Sequence, residues 1–382
     1  MRHSTPTVTL VLTPTAISRL LLGWASVLLV SLLRPALAGP LPLWLLWLVL
    51  AGIVAVIVAS AFGVVTEAEH LARRLGDPYG TLVLTLSIAA IEVILISAVM
   101  LGPGEHPTIA RDSVMAVSMI ILNLVIGVAL VVGGMRHARL RANPTGVSSY
   151  LGMLIALLSV AFAFPALIGT RGAYTPAQSV VVIVLTIALY GFFLIRQMGA
   201  QRADFQEVAE TPPARSPRDP AHGAGGAVLR RQRPELIARS ALLVAMVLPI
   251  VLLSHDMATL LDEALAHAGA PVALSGVLIA LIVFLPETIT TIRAAALGEM
   301  QRVSNLCHGA LVSTAGLTIP AVLVIGLLAD RPVLLAETPV DLLLLGMTLL
   351  LTLATFTARR LTPLHGAVHL FVFALYAMSV FA

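Results

Sequence analysis

The 382-residue sequence has little charge, a single cysteine and no lysine. Charged residues make up 11% of the chain, against about 25% in an average soluble domain. Cys307 alone excludes an internal disulfide and a cysteine metal cluster. The net charge is only +4, and the arginines lie in loops beside apolar segments, so we expect no nucleic-acid partner.

Long apolar runs account for the missing charge. Apolar residues make up 59% of the chain, and one membrane-spanning helix needs about 20 of them. Runs bounded by Gly, Pro and charge predict eleven transmembrane helices in an all-α polytopic membrane protein. Their approximate limits are 16–34, 43–65, 79–101, 113–134, 148–169, 177–197, 237–254, 274–297, 304–327, 338–357 and 363–381.

One long polar stretch divides the chain. Residues 198–235 combine prolines, glycines and mixed charge without periodicity, which is typical of a disordered linker. We therefore predict an extra N-terminal helix in 1–42, a first five-helix repeat in 43–197 and a second in 236–382. Because five is odd, the two repeats would cross the membrane in opposite directions.

The arginines predict the orientation. Threading eleven spans alternately places 19 arginines on the side of the N-terminus and four on the other: Arg34, Arg111, Arg171 and Arg331. The acidic residues Asp256, Asp262, Glu263 and Asp330 are assigned to loops on the arginine-poor side. The positive-inside rule then predicts a bacterial inner-membrane protein with its N-terminus and the linker in the cytoplasm and its C-terminus in the periplasm.

The first span has a second interpretation. Arg2 and Arg19 precede a Leu-rich run that ends at Ala36-Leu37-Ala38, which is similar to a signal-peptide cleavage site. The polar segment before the run is long for a signal peptide, so we favour a retained helix. Cleavage would leave the rest of the topology unchanged.

Two acids near the centres of predicted spans mark the repeat. Glu92 and Glu287 each lie thirteen residues after the start of a predicted span, and the next span carries Asn123-Leu-Val-Ile-Gly127 or Asn305-Leu-Cys-His-Gly309. An acid at the bilayer centre costs about 2.5–3.5 kcal/mol on insertion scales, and inverted repeats often meet at a midplane site. We therefore expect Glu92 and Glu287 to form an ion site, the alternative being neutral structural carboxyls.

Two carboxylates at one site favour exchange of a cation for protons. They repel each other in low dielectric, and either a divalent cation or protons can cancel both charges, so the two cargoes compete. Calcium prefers six to eight oxygen ligands. Amide oxygens of Asn123 and Asn305, hydroxyls of Thr290 or Thr291, backbone carbonyls and water could supplement the glutamates. The alternative for the two asparagines is a structural role, in which their side chains form hydrogen bonds between helices.

Pro286 is expected to loosen the helix before Glu287, because its ring clashes with the carbonyl of Ile282. Glu67, Glu69 and His70 are expected on a solvated helical extension on the cytoplasmic side, with cation capture or pH sensing as the alternatives. For His365 and His369, packing is favoured over a metal pair because no third ligand lies nearby.

Several segments resemble the ChaA-type calcium/proton and sodium/proton antiporters of the calcium/cation antiporter superfamily. They include Glu67-Ala-Glu-His-Leu-Ala, Leu75-Gly-Asp-Pro-Tyr-Gly-Thr, Ala110-Arg-Asp-Ser, Leu285-Pro-Glu-Thr-Ile and Leu317-Thr-Ile-Pro. The resemblance implies ten core helices in two inverted halves plus one N-terminal helix, with Glu92 and Glu287 coordinating the ion. The wider superfamily's Gly-Asn-x-x-Glu pattern is absent, since Ala89-Ala90 and Leu285-Pro286 precede the glutamates.

We expect a secondary transporter that exchanges Ca²⁺ for H⁺, with Na⁺ or K⁺ as alternative cargo. It would need no cofactor, and its partners would be inorganic cations, protons and the lipid bilayer. A cation channel is a weaker alternative, since channels usually form pores from rings of subunits. An enzyme is disfavoured because the spans lack His-Glu-x-x-His, paired-Asp and Ser/Lys motifs.

Overall fold

The structure, a computed structural model, describes residues 13–37, 39, 41–75, 86, 89–90, 92–93, 96–97, 100, 108–207, 225–271 and 273–381. The helices within these residues are α1 (Pro14–Leu37), α2 (Leu43–Leu75), α3 (Ile109–Met119), α4 (Ile126–Arg136), α5 (Pro144–Leu158), α6 (Phe164–Ile168), α7 (Pro176–Met198), α8 (Gly225–His267), α9 (Ala273–Ala296), α10 (Met300–Ser304), α11 (Ala310–Ala329), α12 (Pro339–Thr357) and α13 (Pro363–Val380).

Three of the predicted spans are interrupted by π-helical turns. Ile120–Val125 joins α3 to α4, Ser159–Ala163 joins α5 to α6, and Asn305–Gly309 joins α10 to α11. Two of these turns coincide with the shared Asn-Leu-x-x-Gly motif. Since π-turns are frequent at functional sites, the motif marks equivalent irregular positions in the two halves.

The predicted all-α membrane fold is confirmed. Among the described residues, nine helices are long and apolar enough to cross a membrane, and the bent helix α9 makes a tenth. The predicted span 79–101 lies mostly outside the described residues, although those described between 86 and 100 are helical. The observed bounds agree with the predicted spans to within a few residues, except for α2 and α8, which are longer.

The last two helices of each half begin with similar capping sequences. Asn143, Thr175 and Thr338 each accept a hydrogen bond from a backbone N–H in the first turn and each precede a proline. Thr362 also precedes a proline, and its own N–H donates to Nδ1 of His365 at 3.1 Å. A polar cap followed by proline suits a helix start, because the first N–H groups lack partners within the helix.

Two short backbone bridges reveal the inverted relation of the halves. Leu140, before α5, pairs with Leu361, before α13, and Leu334, before α12, pairs with Ala173, before α7. Helices α5 and α6 run from one bridge to the other, so the bridges lie at opposite ends of the bundle. Exchanging α5 with α12 and α7 with α13 exchanges the two bridges, as expected for two inverted repeats.

The helix that follows the polar stretch is longer than predicted. Helix α8 begins at Gly225, inside the predicted 198–235 linker, and Arg202–Phe205 form a 3₁₀ turn, while residues 208–224 lie outside the described part. The same helix continues to His267, so Asp256, Asp262 and Glu263 are helical rather than in a loop. The cause is a continued apolar stripe of buried residues: Met257, Leu260, Leu261, Ala264 and Leu265.

Glu67 corrects the expectation of a solvated extension. It is 3% exposed, and its Oε2 lies 2.7 Å from Nη1 of Arg239 on α8. Arg239 also pairs with Glu235 at 3.1 Å. The opposite charge arrives from α8, which is far away in sequence, so a local pattern on α2 could not predict the burial. The side chain of His70 remains 41% exposed.

Replacing Arg239 by Ala should lower the free energy of unfolding by about 3–5 kcal/mol, because it leaves a buried carboxylate without its partner. The matched control is Arg34→Ala, which removes an arginine that joins α1 to Asp256 of the same helix α8 but is itself 54% exposed. That change should cost under about 1 kcal/mol. Thermal unfolding of the purified variants measures both, and equal losses would contradict the assignment.

Candidate ion-binding site

Glu92 is almost completely buried between the halves. It is 2% exposed, and the hydroxyl of Thr314 on α11 donates a hydrogen bond to its Oε2. Its other oxygen, Oε1, is buried with no hydrogen-bond partner in the part of the chain that the structure describes. A carboxylate oxygen without a partner in a dry interior is costly. It therefore needs either a proton or a bound cation.

Glu287 lies in an environment similar to that of Glu92. It is 7% exposed, and its Oε2 is likewise buried without a hydrogen-bond partner among the described residues. Helix α9 bends by 57° between Ile282 and Phe284. The bend lies where the ring of Pro286 conflicts with the carbonyl four residues earlier, as the sequence predicted. The helix is thus opened directly before the acid.

The segments that carry the two acids both contact the span formed by α10 and α11. Glu92 reaches this span through Thr314. One turn after Glu287, the hydroxyl of Thr291 lies 4.0 Å from Sγ of Cys307 on the same span. Cys307 lies in the π-turn that joins α10 to α11, and Thr314 lies in the first two turns of α11. Glu92 and the helical turn that follows Glu287 therefore each contact the same interrupted span.

Asn123 is fully buried and its amide is engaged. Its Nδ2 donates to Oγ1 of Thr348 on α12 at 2.8 Å, and its Oδ1 lies 3.4 Å from Nδ1 of His369 on α13. Nε2 of His369 lies 3.1 Å from Oγ1 of Thr355. The side chain therefore ties the π-turn of the first half to the second half. Its role as an ion ligand stays a prediction.

Asn305 makes the corresponding link in the opposite direction. Its Nδ2 donates to the carbonyl of Phe205 at 2.8 Å, and its Oδ1 accepts from Gln301 at 2.9 Å and from Tyr150 on α5 at 3.4 Å. Helices α5 and α12 are equivalent in the two repeats, so each asparagine joins its π-turn to the equivalent helix of the other half. These bonds agree with the alternative role of asparagine, which is to join membrane helices by hydrogen bonds. The ion-ligand role of Asn305 again stays a prediction.

The two predicted threonine ligands differ. Thr290 bonds to the carbonyl of Pro286 in its own helix at 3.0 Å, whereas Thr291 is 1% exposed and faces Cys307. Sequence reasoning missed Thr314, because a hydroxyl in an apolar span usually bonds to its own backbone. It also left out His308, whose Nε2 is buried without a partner among the described residues and whose Nδ1 lies 2.9 Å from Oγ of Ser304.

Close helix packing holds the site spans in place. A Cβ on Gly127, the last residue of the first Asn-Leu-x-x-Gly motif, would lie 3.1 Å from the carbonyl oxygen of Gly366 on α13. A Cβ on Gly366 would lie 2.5 Å from the carbonyl oxygen of Gly127. Small residues at this crossing let the backbones approach, as is common between membrane helices. No three His, Cys, Asp or Glu residues group as a metal site in the described part of the chain.

Glu337 is a buried acid outside the spans, at the arginine-poor end. Burial raises the pKa of its carboxyl to about 8, and the nearby Asp341 and Asp112 act in the same direction. Arg111 opposes this rise but lies 3.6 Å away. Its guanidinium is already bonded to Asp112 at 2.8 Å and to the carbonyl of Ala336 at 3.0 Å. Burial therefore outweighs the weak ion pair.

Stability should depend on pH through Glu337. Between about pH 5 and pH 8 the folded state holds a proton on this carboxyl that the unfolded state, with a pKa near 4.3, has lost. The unfolding temperature of the wild type should therefore fall as pH rises across this window. Glu337→Gln should remove that part of the slope in thermal scans, and an unchanged slope would contradict the assignment.

Comparison with known proteins identifies the family of the chain. The profile of the family described as sodium/calcium exchanger protein matches residues 44–199 and 239–382. The sodium-potassium/proton antiporter ChaA of Escherichia coli (strain K12) is 32% identical over 326 residues, which cover 85% of this chain and 87% of that protein.

Solved structures share the fold. Native YfkE superposes with a TM-score of 0.70 at 20% identity, covering 95% of this chain and 99% of that one. The H⁺/Ca²⁺ exchanger CAX superposes with a TM-score of 0.64 at 15% identity, covering 96% of this chain and 89% of that one. On the family match and the ChaA identity, the chain belongs to the sodium/calcium exchanger protein family of membrane transporters.

Proposed function

We propose that the chain is a secondary active antiporter in which Glu92 and Glu287 bind a cytoplasmic cation and protons in turn. The observation that carries this proposal is the pair of buried carboxylates, each with one oxygen that lacks a hydrogen-bond partner among the described residues. Protonation or cation binding satisfies such an oxygen, and both cannot do so together. Mutual exclusion of the two cargoes is the minimum requirement for exchange.

Alternating access requires movement next to the site, and the points where the helices are bent or irregular lie next to it. The bend of α9 precedes Glu287, and two π-turns carry the asparagines that link the halves. Irregular backbone at membrane depth is tolerated where it is buried in protein or lines a cavity. We propose that the halves rock about these points, so that the carboxylates face each side of the membrane in turn.

Calcium is the first candidate cargo, because two carboxylates balance its charge. Sodium or potassium is the second candidate, and a specific observation favours it. The amide oxygens of Asn123 and Asn305 are engaged with His369, Gln301 and Tyr150, which leaves fewer oxygens for an ion that prefers six to eight. ChaA, the 32% identical relative, is a sodium-potassium/proton antiporter.

Transport in sealed everted vesicles tests the proposal. Addition of Ca²⁺, Na⁺ or K⁺ to acidified vesicles should release protons from the lumen, and the cation active at the lowest concentration is the preferred cargo. Repeating the series at several pH values tests the competition, since the apparent affinity for the cation should fall as pH falls. Cation current without proton movement would instead support a channel.

We propose an inner-membrane location with a cytoplasmic N-terminus. The arginine distribution supports this proposal: Arg239, which pairs with Glu67, belongs to the predicted arginine-rich side, and Arg111, near Glu337, belongs to the other. A reporter fused within residues 208–224 should be cytoplasmic, and one after Ala382 should be periplasmic. A protease or alkaline phosphatase assay reads out both positions. Finding the two reporters on the same side would overturn the eleven-span topology.

A further inference from the structure

A large cavity opens at the arginine-rich end of the bundle. Its volume is about 1170 Å³, and it is lined by residues 137–141, 207, 297–299 and 359–360. Helices α4 and α9 end beside it, and helices α5, α10 and α13 begin there. The cavity is therefore separate from the buried acids, although it touches the ends of the helices that carry the site.

Backbone pairing places the arginines of this cavity. The N–H of Leu361 donates to the carbonyl of Leu140 at 3.0 Å, which joins the two segments as an antiparallel bridge. Leu140 is 2% exposed and Leu361 is 3% exposed, so both point into the protein. Since side chains alternate in extended backbone, the neighbouring arginines at 139, 141 and 360 point the other way, and all three are exposed.

The positive charge of the cavity is not balanced from within. Glu299 pairs with Arg302 at 3.0 Å, and Glu207 accepts hydrogen bonds from the backbone N–H groups of Gln301 and Arg302. Burial raises the pKa of the Glu207 carboxyl, which therefore takes up a proton more readily than an exposed glutamate. The side chains of Arg139, Arg141, Arg359 and Arg360 make no hydrogen bond or ion pair within the described part of the chain.

We propose that this cavity binds a phosphate-bearing anion, either the headgroup of an anionic phospholipid or a soluble phosphate. Guanidinium groups match phosphate oxygens through paired N–H donors, which makes arginine the preferred residue for such recognition. Basic pockets at the cytoplasmic ends of membrane helices are suited to anionic headgroups. Four arginines without a partner among the described residues repel a cation, so this cavity is not proposed as a second site for the cargo.

Binding of lipid and of phosphate to the purified protein distinguishes the two sources. Native mass spectrometry of the detergent-solubilised chain is run with cardiolipin, with phosphatidylcholine and with inorganic phosphate. The variants are Arg139→Gln/Arg141→Gln and Arg359→Gln/Arg360→Gln. The matched control is Arg196→Gln/Arg202→Gln, which removes two exposed arginines from the same end but outside the cavity. Thermal unfolding without added anion confirms that each variant is folded.

The wild type should bind cardiolipin or inorganic phosphate in preference to phosphatidylcholine, and whichever binds identifies the source. Each cavity variant should weaken that binding by about tenfold or more, since a membrane-proximal arginine contributes about 1 kcal/mol to attraction of anionic lipid. The control variant should bind as the wild type does. Equal binding of all three ligands by the wild type, or equal loss in control and cavity variants, would overturn the proposal. So would undiminished binding in both cavity variants. If one cavity variant unfolds, the other decides the outcome.

Discussion

Glu92→Gln and Glu287→Gln should each reduce cation-driven proton movement by about a hundredfold or more. Glutamine keeps the size and most of the hydrogen-bonding capacity of glutamate, so expression and insertion should stay near normal. Each change halves the charge that faces a divalent ion at a buried site, and loss of one partner of a desolvated charge pair typically costs about 2–5 kcal/mol. It also removes one of the two groups that alternate between proton and cation.

Exchange rates in everted vesicles measure this effect, normalised to the amount of inserted protein. Glu263→Gln is the matched control, because it removes an equal charge from α8, where the acid is only half-buried. The control should transport at the rate of the wild type. Conservative Glu92→Asp and Glu287→Asp changes should retain part of the activity, since the charge remains although the ligand withdraws by one methylene. Wild-type exchange in either glutamine variant would make that residue a structural acid.

Thr314→Val should lower the apparent cation affinity by about tenfold and change its pH dependence. The hydroxyl of Thr314 donates to the carboxylate of Glu92, and such a bond favours the charged form that binds the cation. Hydrogen bonds to charged groups contribute about 1.5–3 kcal/mol. Without this donor the carboxyl should hold its proton to higher pH, so the active range should move toward alkaline values.

The matched control for Thr314 is Thr352→Val. Thr352 is also fully buried in the membrane region, but its hydroxyl donates only to the carbonyl of Thr348 in its own helix at 2.7 Å. Valine at this position should therefore leave the pH profile of exchange unchanged. If both variants have the profile of the wild type, the bond from Thr314 has no part in tuning Glu92. If both shift equally, the effect is general packing of the membrane helices.

The helices were predictable because the bilayer imposes strong rules on sequence. Apolar length and bounding Gly, Pro and charge predicted α12 as 338–357, and the structure has Pro339–Thr357. The bend before Glu287 followed from one proline whose steric effect is local. The equivalence of Asn123 and Asn305 followed from a short repeated pattern, because inverted halves keep the same residues at the same depth.

Other features depend on partners far apart in sequence. The burial of Glu67 requires Arg239 on α8, and the donor to Glu92 comes from Thr314 on the other half. Neither pairing leaves a periodic pattern in the sequence. A single threonine or glutamate does not indicate from its local sequence whether its side chain is solvated or paired with a distant residue. The extension of α8 past residue 254 was not predicted, because the charges of Asp256, Asp262 and Glu263 suggested a loop. The apolar stripe nevertheless continues on the buried face of the same helix.

Competition between protons and cation at Glu92 and Glu287 is tested most directly by proton release from the purified protein. The protein is placed in weakly buffered detergent solution across a pH series, and Ca²⁺, Na⁺ or K⁺ is added. The number of protons released is measured, and cation binding is measured in parallel by calorimetry. We expect cation binding to release protons in the wild type, and we expect that release to be absent from the Glu92→Gln/Glu287→Gln variant. Cation binding without proton release at every pH, or the same release from the double variant, would contradict exchange at these two carboxylates.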